Sequence, residues 1–252
     1  MLTITPASPN TVVSNTQTQG TLNWAFNSGS QAFDVLAAGE QLTLTYTIRV
    51  TDSAGATADQ PITITITGSN DAPTVSATSS TSTLVEAGGI SNANAGTNAA
   101  TITLSKGDVD GTATYDTTYL TSNGWNNAGS GVYTKAGSYG TASFSITTGV
   151  VSYSLDNNAA ATQALTTGQA VSDNFGVIQV TDGTATAQTS ALVFSITGSN
   201  DTPTVSASAP SATLVEAGGS NNADAGTATA SITLTKGDVD GTANYDTCLL
   251  YT

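Results

Sequence analysis

The chain has 252 residues, is about 38% hydrophobic, and carries 18 Asp and Glu against four Lys and Arg, with no histidine and a formal net charge of −14. It is long enough to bury a core in one or two domains, but so acidic a chain attracts cations and offers nucleic acid no basic face. The missing histidines exclude Ser-His and Cys-His nucleophile pairs and most zinc sites, so any catalysis would have to run on carboxylates.

The opening residues, MLTITPASPN, lack the charged and apolar regions of a secretory signal. No run of 18 apolar residues follows, so no membrane-spanning helix is expected. LTLTYTIRV at 42–50 and ITITITG at 62–68 alternate apolar and polar residues, the period of strands with one buried face. GSNDAP at 68–73 reads as a linker, with Asn and Asp bonding their own backbone before a stiffening proline. TLVEAGG at 83–89 places Glu86 before a glycine turn, and KGDVDGTA at 106–113 places Asp108 and Asp110 one residue apart. The stretch 115–135 reads as a long loop carrying Tyr119, Trp125 and Tyr133, while Trp24, Tyr153 and Leu155 fall on alternating strand positions and are expected in a core.

Further on, NAAATQAL at 158–165 has room for one or two helical turns at most, and no segment of comparable length shows a period of 3.6. Gly176 in NFGVIQV reads as a β-bulge. VTDGTAT at 180–186 is a hairpin signal around Asp182-Gly183, followed by a last strand at 184–197 and a second linker, GSNDTP, at 198–203. Many short strands separated by Gly, Asn, Asp and Ser clusters predict an all-β fold of sandwich type.

The landmarks recur at one spacing. GSND, TLVEAGG and KGDVDGTA begin at 68, 83 and 106 and again at 198, 213 and 236, each pair 130 apart, with 36 identities in the 50 positions from 68 to 117. Residues 22–71 match 151–201 in the same way, with one extra residue in the later copy. The organisation expected is therefore the C-terminal part of one repeat at 1–67, a linker at 68–73, a complete β-sandwich repeat at 74–197, a linker at 198–203 and the N-terminal part of a third repeat at 204–252. At 248–252 CLLYT replaces the TYLTS of 118–122 and carries the one cysteine, Cys248; this pentapeptide reads as non-native, with divergence as the alternative. A single cysteine supplies no disulfide framework.

The blocks GSYGT, YSLDN, VTDG and ITGSND-x-P, in that order, resemble the VCBS-type repeat of very large bacterial surface proteins, which is similar in layout to cadherin-like and immunoglobulin-like tandem domains. The resemblance implies tandem immunoglobulin-like or cadherin-like β-sandwiches in a stalk or adhesin, secreted by a one-step apparatus and retained at the bacterial cell surface. Neighbouring repeats would be its partners, with surface glycans or other surface proteins as adhesive targets.

Strand lengths place the acids. At about 3.3 Å per residue, the strand leaving Asn70-Asp71 puts Glu86 near the far end of a module. Two clusters follow: Asn70, Asp71, Asp108, Asp110 and Asp182 at the first junction, and Glu86, Asn200, Asp201, Asp238 and Asp240 at the second. Calcium suits such groups because it takes six to eight oxygens in flexible geometry, and crowded carboxylates repel without a cation. The alternative for each is a solvated acidic turn. Neither an EF-hand nor a glycine-aspartate nonapeptide is present. A carbohydrate-binding module using Tyr119, Trp125 and Tyr133 is the competing function; the alternative for Trp125 is that it plugs its loop onto the sandwich. A glycoside hydrolase needs a dedicated carboxylate pair, and acids that recur with every module argue against one.

Overall fold

The computed structural model describes residues 2–5, 19–30, 32–79, 83–209 and 211–246; Cys248 and the CLLYT pentapeptide lie outside them. The protein is all-β, built from eighteen strands and two short α-helices among the described residues. It divides into two compact units: residues 1–72 with 108–112, and residues 73–107 with 113–252.

In the first unit β1 (Leu2–Thr5) pairs antiparallel with β2 (Asn23–Phe26), and β3 (Gln41–Thr51) pairs antiparallel with β4 (Thr57–Thr67) along its whole length. The β3–β4 register sets Leu42 against Ile66, Leu44 against Ile64 and Tyr46 against Ile62, so the alternation read from the sequence becomes one half-buried apolar face. On the other face Arg49 and Asp59 form an exposed two-point ion pair at 2.7 and 2.8 Å. Trp24, expected in a core, is exposed here because no strand layer covers its side of β2 among the described residues.

The second unit opens with β5 (Thr74–Ser79), β6 (Leu84–Val85), β7 (Ala99–Gly107) and β8 (Thr114–Tyr115). The stretch expected to be a loop is structured: α1 (Thr117–Ser122), β9 (Asn126–Gly129) and β10 (Val132–Ala136). Asp116 caps α1 by accepting from Tyr119 N–H at 2.9 Å. There follow β11 (Gly140–Ser145), β12 (Val150–Leu155), α2 (Ala160–Gln163), β13 (Ala170–Asn174), β14 (Gln179–Thr181), β15 (Thr186–Gln188) and β16 (Val193–Thr197). The strand expected at 184–197 is thus two strands. Gly176 is not a bulge inside a continuous strand; it sits at φ +78° in the break between β13 and β14, where Asn174 Oδ1 accepts its N–H.

These strands form a six-stranded sheet in the order β5-β7-β12-β11-β10-β9 and two three-stranded sheets, β13-β16-β6 and β15-β14-β8. Alternate residues of each enter one buried cluster: Ile102 and Leu104 from β7, Val151 and Tyr153 from β12, Val180 from β14, Phe194 and Ile196 from β16. Beyond them β17 (Thr204–Ala207) pairs with β18 (Leu234–Gly237) in the register of β5 and β7 displaced by 130, Thr204 to Gly237 as Thr74 to Gly107.

Candidate functional site

The two linkers share a local design. Asn70 Nδ2 donates to Asp71 O at 2.8 Å, and Asn200 Nδ2 to Asp201 O at 2.5 Å. The Asp71 N–H donates to Asp110 Oδ2 at 3.1 Å, and the Asp201 N–H to Asp240 Oδ2 at 3.2 Å. Each Asp-x-Asp turn therefore grips the linker that precedes it. Within the first turn the Asp110 N–H also leans on Asp108 Oδ1 at 3.4 Å.

Glu86 reaches the second linker because β6 runs parallel to β16 with Val85 beside Thr197. The Glu86 N–H donates to Thr197 O at 3.0 Å, its Oε2 accepts from the Ser199 N–H at 3.1 Å, and the Gly89 N–H donates to Asn200 O at 2.8 Å. Chain 86–89 and chain 197–200 thus zip together step by step. Gly88 is required for this approach, since a Cβ there would lie 2.5 Å from Asn200 O. A Cβ on Gly96 would run into the Val85 and Glu86 carbonyls. No role was read from sequence for Ser199, Gly88 or Gly96; their signal was the recurrence of GSND, AGG and AG in both copies.

Four carboxylates meet at this linker, and each has an enclosed oxygen that no donor satisfies: Glu86 Oε1, Asp201 Oδ2, Asp238 Oδ1 and Asp240 Oδ1. The Glu86 and Asp201 side chains are buried. Burial, then the charges of Asp201 and Asp240, push the Glu86 carboxyl above its usual range, against the opposing pull of the Ser199 N–H. Burial, then Asp240 and Asp238, raise Asp201 likewise, and Asp238 is raised by desolvation and by Asp240. Among the described residues, no group of three or more His, Cys, Asp or Glu closes into a ready-made metal cage. The mutual electrostatics nonetheless show these acids within reach of one another. Carboxylates without a counter-ion repel, and a cation that draws them in would remove that cost.

Asp182, grouped with the first cluster from sequence, sits in the turn of the β14–β15 hairpin, where its Oδ1 accepts from the Thr184 and Ala185 N–H groups at 2.6 and 2.7 Å. It closes its own turn, as Asp52 does through Ala54 and Ala56. The loop aromatics are corrected by burial. Trp125 exposes 1% of its surface and packs edgewise on Phe144 with ring centroids 6.2 Å apart, and Tyr133 is also buried. Neither ring has a face to stack on a sugar; only Tyr119 is partly exposed. A cavity of about 410 Å³ beside Ala87, Ser91, Asn92, Asn98, Asn157 and Asn158 is lined by amides, with no aromatic ring among them. One further carboxylate is buried, Asp173, and it is fully engaged: Tyr153 Oη, Ser138 N–H and Tyr139 N–H donate to it at 2.7, 2.8 and 3.1 Å. That network raises the Tyr153 hydroxyl well above its usual range, burial first, and ties β12 to β13.

No family model matches the chain, and no curated protein or solved structure matches it significantly. The likeness to VCBS-type repeats therefore stands on the motifs in the sequence.

Proposed function

We propose that the chain is a non-catalytic structural and adhesive repeat segment of a large secreted or cell-surface bacterial protein, its immunoglobulin-like modules stiffened by calcium at their junctions. The observation that carries the reading is the set of four enclosed carboxylate oxygens without donors at the second linker. Their hard oxygen chemistry, at a place where a linker, a glycine turn and an Asp-x-Asp turn meet, suits Ca²⁺. Glu86, Asp201, Asp238 and Asp240 would hold the ion, with the Asn200 side chain, already turned back on the linker, bracing the loop. The role of the ion is mechanical: it cancels repulsion and couples one module to the start of the next. At the first linker Asn70, Asp71, Asp108 and Asp110 offer a smaller acidic set.

Repetition supports a stalk over an enzyme, because the acid clusters recur with each 130-residue copy and none is reserved to a cleft. Calorimetric titration of the full, chelator-stripped chain with calcium tests the reading. The expected result is binding that a Glu86→Gln, Asp240→Asn double variant weakens at least tenfold. No heat at millimolar calcium overturns the metal role. Hydrolysis of a glycan by the wild-type chain overturns the non-catalytic one.

A further inference from the structure

The loop 86–98 between β6 and β7 is held in a shape that the sheets do not require. Ser91 and Asn92 stand side by side in the left-handed region at φ +52° and +59°, which few residues other than glycine adopt. Side-chain amides fix them there. Asn157 Oδ1 accepts from the Ala87 N–H at 3.0 Å, and Asn92 Nδ2 donates to Asn157 O at 3.1 Å. Gln163 Nε2, on α2, donates to Asn92 Oδ1 at 2.9 Å and to Asn157 O at 2.7 Å. The loop and the turn after β12 thereby become two fixed walls of the cavity of about 410 Å³.

What lines the cavity decides what it can hold. Ser91, Asn98 and Asn158 bring a hydroxyl and two amides whose side chains make no hydrogen bond to other described residues. An amide sets an acceptor oxygen beside two donor hydrogens, a pattern that adjacent hydroxyls of a sugar ring can answer at both atoms. None of the lining residues is charged, and a net charge of −14 repels anions, so the ligand is neutral. The volume falls in the range of small-molecule sites, roughly 300–1,000 Å³, but the polar walls suit neither a lipid nor an aromatic compound. The internal repeat separates frame from wall. Ala87, Asn92, Ala95 and Gly96 recur as Ala217, Asn222, Ala225 and Gly226, and Asn222 keeps φ +59°. By contrast Ala228 stands in the place of Asn98, and the copy at 22–71 has Ser28, Gly29 and Asp34 where the complete one has Asn157, Asn158 and Gln163. A scaffold part would recur with its frame; a wall that changes between copies is what a ligand site grafted on a repeated fold shows.

We propose that this cavity binds one neutral pyranose unit of a surface glycan, with Asn98 and Asn158 as the residues that read its hydroxyls. Such a site rests on the adhesive half of the proposed function, to which it gives a ligand class, and needs none of its calcium. Each hydrogen bond to the sugar replaces one to water, and no aromatic ring adds stacking, so a single site binds weakly. Adhesion then comes from many chains on one surface engaging many sugars at once.

Biolayer interferometry of the full chain on immobilised dextran, mannan, galactan and chitin oligosaccharide provides the test, with heparin and hyaluronan as anionic controls, each in calcium and in chelator. The wild-type chain is expected to bind at least one neutral glycan in both conditions and neither anionic one, and to be released by the matching free monosaccharide. Asn98→Ala, which installs the residue of the later copy, combined with Asn158→Ala changes two exposed side chains and should weaken binding at least tenfold with Tm unchanged. In the ¹⁵N-labelled wild type the same monosaccharide should shift the side-chain amide resonances of Asn98 and Asn158, which locates the site without any variant. Absence of binding to all four neutral glycans, a preference for the anionic ones, binding that the double variant retains, or amide resonances that do not move each overturns the proposal. A chain that binds glycan but no calcium refutes the junction reading alone, and one that binds calcium but no glycan refutes the cavity alone.

Discussion

Replacing Glu86 with Gln should change stability in opposite directions with and without calcium. In chelator the wild-type carboxylate is buried against Asp201 and Asp240 with Oε1 lacking any donor. The glutamine keeps an acceptor for the Ser199 N–H and turns its amide N–H₂ toward the neighbouring carboxylates, a gain of about 1–3 kcal/mol. Residues 74–197 unfold with an entropy of about 260 cal/mol/K, so each kcal/mol shifts Tm by about 4 °C and the variant should melt about 4–12 °C higher. In calcium at one hundred times Kd the wild-type gains about 2.7 kcal/mol, or about 10 °C, by mass action. The variant has lost a ligand and gains much less, so the order of the two proteins reverses or closes. Scanning calorimetry of both chains in chelator and in calcium reads all four temperatures. A Glu86→Gln chain that melts below wild type in chelator refutes the repulsion argument, and a wild-type Tm indifferent to calcium refutes the ligand argument.

The folded-state pKa values of Glu86 and Asp201 lie above their unfolded values, so between the two the folded chain binds the extra protons. In chelator, stability should therefore rise as pH falls from neutral through the raised values, whereas in calcium it should fall over the same window because protons compete with the ion; melts at several pH values check the opposite slopes. Gly96→Ala drives a methyl into the Val85 and Glu86 carbonyls and should cost about 1–3 kcal/mol by urea unfolding, together with weaker calcium binding. Trp125→Ala empties a core site beside Phe144 and Phe175 and should cost about 3–5 kcal/mol, while leaving any glycan affinity of the folded chain unchanged on an array. Tyr153→Phe removes one of three donors to buried Asp173 and should cost about 1–3 kcal/mol.

Much of the candidate site was legible because it is built from repeated local chemistry. Counting strand rise from Asn70 was enough to send Glu86 to the far linker, where it meets Ser199, Asp201 and Asp240. The Asp-Gly of 182–183 gave its hairpin for the same reason: a two-residue signal fixes a turn without help from the rest of the chain. At Asp182 the same local chemistry shows, since its Oδ1 accepts from the Thr184 and Ala185 N–H groups, an Asx turn that neighbouring residues are enough to close. For Trp125 two readings stood, a partner contact or a plug of its loop onto the sandwich, and its burial decides for the plug. Residues 115–135 alternate too irregularly to read as strands, yet α1 and the β9–β10 hairpin extend the main sheet and turn the indole inward.

By itself the sequence determined the β class, the 130-residue period and the residues that line each linker, since these depend on alternation, identity and turn chemistry within a few positions. Only the tertiary structure decided which of those residues are enclosed. Leu104 and Leu234 occupy the same place in the same motif, and one is core while the other is bare, because burial belongs to the layer that arrives from elsewhere in the chain. The same holds for the acids: nothing in TLVEAGG marks Glu86 as enclosed, and it is the linker at 198–201, folded against it and desolvating it, that turns an ordinary carboxylate into a candidate ligand.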